Sequence, residues 1–61
     1  MSFYNNELCE AISNSINRNS SAEELNRKWF VLLQYSKLSC LSEEDYSEIG
    51  HLMRYIDQLS R

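Results

Sequence analysis

Apolar side chains recur along this chain in steps of three and four, and no stretch alternates strictly. The clearest run is the last. Tyr46, Ile49, Met53 and Ile56 form one stripe, widened by Leu52 and Leu59, and predict a helix over 43–59. The middle run is apolar on two sides. Ala22, Leu25, Trp29, Leu32, Leu33 and Ser36 line one side, with Trp29 at its centre; Val31, Tyr35 and Leu38 line the other, mixed with Arg27 and Gln34. A helix of this kind belongs between neighbours. It is expected over 22–38, in the middle of the fold, with the third helix on one side and the first helix or a second chain on the other. The first run, Tyr4, Leu8, Ala11, Ile12 and Ile16, predicts a helix over 3–17. Its Asn5, Asn6, Asn14 and Asn17, with Ser13 and Ser15, are poor helix formers. Its end is expected to fray, or to order only on assembly.

Punctuation supports these boundaries. There is no proline and only one glycine, Gly50. In "NRNSSAEEL" (residues 17–25), Ser20 with Glu23 and Ser21 with Glu24 both have capping-box spacing. In "LSCLSEED" (residues 38–45), Ser42 is the expected N-cap, and Glu43, Glu44 and Asp45 fall in the first turn, where the helix dipole favours carboxylates. The same Ser42 and its acids resemble an acidophilic kinase site, but capping accounts for them without a kinase. The short link makes helices 2 and 3 an antiparallel hairpin. The fold class expected is all-α: a single three-helix domain over residues 1–61.

Size then narrows the function. A chain of 61 residues hides only about 60% of the surface its unfolded form exposes, so it gains most from a disulfide, a metal or a partner. Cys9 and Cys40 form no C-x-x-C and are read as two small buried or half-buried thiols in a reducing compartment, although one disulfide between them stays open. A lone His51 cannot complete a zinc site within one chain. A partner chain is the remaining supplement. With 43% of residues apolar or aromatic in so small a unit, some are expected to face that partner, most simply a second copy in a homodimer.

Charge and motifs exclude more. The net charge is −3, and of the six cations only Arg27 and Lys28 are adjacent, so direct nucleic-acid binding is disfavoured. No apolar run reaches the roughly 18 residues of a membrane span, and no secretory pattern opens the chain. The expected location is the cytoplasm. Glu48 and His51 make a Glu-x-x-His, a ligand pair of di-iron bundles. The wheel puts Glu44, Glu48, His51 and Tyr55 opposite the apolar stripe, so a solvated outer face is the reading taken, with no metal and no cofactor. A single histidine and no glycine-bearing turn leave no nucleophile elbow or phosphate loop. No catalytic residue is assigned and no enzyme activity is expected. Gly50 either allows close helix approach, the reading taken, or is a tolerated weak point in the helix. Phe30 lies about 100° from the Trp29 stripe. With Val31, Tyr35 and Leu38 it is the leading contact surface; Tyr4, Leu8 and Ile12 on the first helix are further interface candidates.

"SSAEEL" opening a helix that carries Trp29, "LSEEDYSEI" opening the next, and "MRYIDQL" closing it resemble small helical proteins of temperate phages. The likeness is to the short accessory proteins of the lambda-type early region, between the exonuclease and excisionase genes. It covers residues 20–60 and rests on helix-hairpin patterning. It implies a regulatory protein of a bacteriophage, working in the host cytoplasm on host takeover or the lysis–lysogeny decision through contact with a host or phage protein. The helix starts "SAEEL" and "LSEED" are also similar to Hha-type nucleoid modulators. That likeness implies a transcriptional modulator acting with a DNA-binding partner, although the basic residues such proteins use beside DNA are not recognisable here.

Overall fold

Three side-chain oxygens set where the helices begin. Asn6 accepts from the Cys9 amide (3.1 Å), Ser21 from the Glu24 amide (3.1 Å) and Ser42 from the Asp45 amide (3.2 Å). Each cap satisfies one of the free amides that open a helix. The computed structural model describes residues 4–61, and among these there are three α-helices: α1 Glu7–Ser15, α2 Ala22–Tyr35 and α3 Glu43–Leu59. Asp45 also reaches back to the Ser42 amide (3.3 Å), so α3 starts with a reciprocal capping box and runs over the expected residues.

The other two helices are shorter than the periodicity predicts. In α1, Asn6 caps rather than continues the turn, and Ile16 is already extended, so the helix occupies 7–15 instead of 3–17. Phe3 lies outside the described residues. In α2, regular winding stops at Tyr35. Lys37 and Leu38 donate three residues back, to the Gln34 and Tyr35 carbonyls (3.2 and 3.1 Å), and finish the element as a tighter 3₁₀-like turn.

One core joins all three elements: Cys9, Ile12 and Ile16; Leu25 and Leu32 from α2; Ile49, Leu52 and Ile56 from α3. α3, not α2, is the shared element. It packs along α2 as the expected hairpin and against α1 with its other flank. Serving two neighbours turns its buried arc toward Leu52, away from the Tyr46 edge: Leu52 is 0% exposed and Tyr46 39%. The same arrangement leaves Trp29 half-buried at the margin instead of at the centre. Gly50 serves no close approach, since a Cβ there would meet nothing within 4 Å. The Cα extents, 32 × 26 × 15 Å, describe a slab, so α2 keeps an uncovered flank.

Candidate interaction surface

The second apolar side of α2 is real, but no other element among the described residues covers it. Phe30, Val31 and Leu38 are 50%, 45% and 46% exposed. With Glu23, Arg27, Gln34 and Lys37, all exposed, they form a stripe about 170° around the helix from Leu25 and Leu32. Arg27 bonds Glu23 one turn back (3.0 Å) in a fully solvated pair. Phe30 meets Trp29 edge-on, with ring centroids 5.5 Å apart at 89°. That contact braces Phe30 without hiding it.

The remaining candidates separate from this stripe. Tyr35 is half-buried, and its hydroxyl accepts from Asn6 Nδ2 (3.0 Å), so it belongs partly to the intramolecular contact with the α1 entrance. Ile12 is 4% exposed inside the chain's own core and is withdrawn from any outer surface. Its position follows from α1 packing on α3: the apolar face of a helix this short is consumed by one neighbour. Tyr4 and Leu8 pack half-buried against that core. The candidate surface therefore contracts to Phe30, Val31 and Leu38 with their charged border.

Periodicity missed a polar clamp between the α1 entrance and α3. Glu48 Oε1 accepts from the Asn5 and Asn6 amides (2.6 and 3.2 Å), Glu44 Oε1 from Asn5 Nδ2 (2.7 Å), and Asp45 Oδ1 from Asn6 Nδ2 (3.0 Å). Glu48 was expected to face solvent. It is half-buried because it stands one turn ahead of Leu52, on the flank that α1 covers. Its Oε2 is buried with no hydrogen-bond partner. The signal was available: Glu48 is four residues from Leu52, and Asp45 four from Ile49.

This clamp sets the local electrostatics. The Asn6 side-chain bond, then the Ser42 backbone and side-chain bonds, hold Asp45 below the ordinary carboxylate value. Burial, then the fields of Glu48 and Asp45, push the Cys9 thiol up to about 11. Burial, followed by Cys9, Glu48 and Tyr55, also raises Tyr4. No disulfide joins the two thiols: Cys9 is closed and inert, whereas Cys40 is exposed, contrary to its expected burial.

Little here is arranged for chemistry. Glu48 is turned to Asn5 and Asn6, while His51 lies exposed beside Tyr46, Ser47 and Arg54 on a shallow shelf of α3. Among the described residues, no three His, Cys, Asp or Glu side chains gather as a metal site. An open groove of about 590 Å³ runs between the start of α2 and the end of α3. Its floor is Leu25, Trp29 and Ile56; Glu23 and Asp57 stand on its rim, each already paired with an arginine one turn on. No helix among the described residues is long and apolar enough to cross a membrane. No family model, no curated protein and no solved structure matches this chain.

Proposed function

We propose that this protein is a non-enzymatic regulatory or adaptor module that acts by binding protein through the outward face of α2. One observation carries this reading. Phe30 and Val31 on α2, and Leu38 in the turn that closes it, are large apolar side chains, each close to half exposed, on the side turned away from the core. Aromatic and branched residues in such a patch are typical anchors of protein contacts. The total exposed surface supports it. The chain leaves 4630 Å² accessible, where a compact monomer of 7.2 kDa averages about 4100 Å². The lambda-type resemblance would put this contact in the host cytoplasm during phage development, on a host or phage regulatory protein.

The test is purification of tagged protein from the cell in which it is made, beside a Phe30→Glu/Val31→Glu variant. Glutamate keeps helix propensity, so circular dichroism should match between the two. The wild type is expected to carry a stoichiometric protein partner, either another protein or a second, untagged copy of this chain, that the variant lacks. Identical partners on both chains would overturn the reading. A salt-sensitive gel shift of labelled duplex by the purified wild type would replace it with the nucleic-acid-associated alternative.

A further inference from the structure

We propose that the occupant of the outward face of α2 is the same face of a second copy, packed antiparallel about Phe30. This rests on the reading of that face as a protein-contact surface and names its partner. Three rows along the face repeat every seven residues: Glu23, Phe30 and Lys37; Glu24, Val31 and Leu38; Arg27 and Gln34. Seven-residue spacing is the repeat that keeps a seam facing a partner helix. All eight side chains are exposed; Arg27, Phe30 and Gln34 lie farthest from the core, with Val31 and Glu24 toward one flank.

The first row fixes the direction. Its charge is reversed about its centre: an acid seven residues before Phe30 and a base seven residues after. At 1.5 Å per residue Glu23 stands about 10 Å before Phe30, and Lys37, in the tighter turn that closes α2, stands a similar distance after it. A two-fold axis through Phe30, perpendicular to the helix, brings Glu23 beside the second copy's Lys37 and repeats that pair on the other side. In an antiparallel pair, residues on one edge of the seam stay on that edge, so both members of the pair meet. Parallel packing would carry this edge onto the other one, setting Glu23 near Glu24 and Lys37 near Leu38, with neither pair formed. The present Glu23–Arg27 pair is an exposed contact one turn apart, and exchanging it costs little. Near the axis, Phe30 meets Phe30 and Val31 meets Val31. A self-complementary patch of this kind closes after two copies. Arg27 and Gln34 fill the middle of the seam, so the dimer is a reversible one.

Sedimentation equilibrium on the full chain, from low micromolar to high micromolar concentration, reads the association directly. The wild type is expected to be a monomer–dimer system. Phe30→Glu/Val31→Glu should raise the dissociation constant roughly 100-fold or more. Lys37→Glu and Glu23→Lys should each weaken the dimer by about 10-fold, through two lost pairs and their replacement by like charges. The double variant Glu23→Lys/Lys37→Glu should return to within about 3-fold of wild type, because both cross-pairs re-form with exchanged signs. Circular dichroism confirms that each variant remains helical. A wild type that is monomeric at every concentration overturns the proposal. So does a dimer indifferent to the Phe30/Val31 change, or a double variant no better than the single ones. A monomer that still loses a different protein partner when Phe30 and Val31 are changed sinks the second copy alone and leaves the contact surface standing. A face variant that loses nothing in either experiment removes both.

Discussion

α3 holds its two neighbours by different physics. Toward α2 the junction is apolar: Leu25 and Leu32 against Ile49, Leu52 and Ile56, each at most 2% exposed. Toward α1 there is apolar burial as well, from Cys9, Ile12 and Ile16, but the entrance is held by hydrogen bonds from Asn5 and Asn6 to Glu44, Asp45 and Glu48. Apolar burial is non-directional and grows with area. Hydrogen bonds at a partly exposed site contribute modestly, but only one geometry satisfies them. Both junctions therefore draw stability from apolar burial, and the α1 junction adds a polar clamp that fixes position. A nine-residue helix is too short to persist by itself, so α1 depends on that position being held.

Four substitutions or conditions would break or sharpen this contrast. Leu52→Ala has the largest expected effect, because Leu52 is fully buried in the core that joins the three helices. The loss should be about 2–5 kcal/mol, seen as a single early transition in a thermal melt that takes all three helices together. Two separate transitions would show that the α2–α3 hairpin is not the common support. Asn6→Ala comes next. It removes the α1 cap and the bonds to Asp45 and Tyr35, at a cost of about 1–2 kcal/mol. Its effect should be local: amide exchange quickens across Glu7–Ser15 while α2 and α3 keep their protection. Uniform loss of protection would contradict the division.

Acid probes the same clamp without mutation. Asp45 titrates below its ordinary value of 3.8 in the folded chain, because the Asn6 and Ser42 bonds favour the charged form. A lowered folded value means that the unfolded chain takes up the proton first. The contribution is therefore whole above pH 3.8 and is lost as pH falls through the folded value. Exchange in α1 should rise in that window before exchange in α2 does, and Asn6→Ala should flatten the difference. The smallest effect has the opposite sign. Gly50 is an exposed mid-helix residue with open space where a Cβ would go. Gly50→Ala should raise stability by about 0.5–1 kcal/mol, read from the urea midpoint. A loss would show a packing role that the geometry does not contain.

How much of this was legible in the sequence depends on which signals agreed. For α3, the cap at Ser42, the acidic first turn and the apolar spacing coincide, and the boundaries follow to the residue. For α1, two tendencies of asparagine compete: at Asn6 the side chain caps, and the helix loses its predicted first turn. Periodicity shows that a side of α2 is apolar but not which element covers it, so it points to α2 as the middle element where α3 belongs. The polar clamp escaped for a related reason. Glu48 reads as solvated on a wheel centred on Tyr46 and Met53, and turns inward only once the arc is centred on Leu52. Of the candidate surface, Phe30, Val31 and Leu38 were visible as apolar residues off the Trp29 stripe. That Ile12 is spent internally depends on how α1 packs, which no local pattern encodes.

The contrast between Cys9, sealed and held protonated, and Cys40, free in the turn after α2, gives the molecule one addressable position for a spectroscopic label. A maleimide nitroxide should modify Cys40 alone under native conditions, without any engineered cysteine. Past the end of α2, the spin labels of an antiparallel pair would stand at opposite ends of the seam, within the reach of pulsed dipolar spectroscopy. Parallel packing would bring them together and broaden the continuous-wave spectrum instead. The native thiol thus serves as a built-in ruler for the direction in which two chains meet.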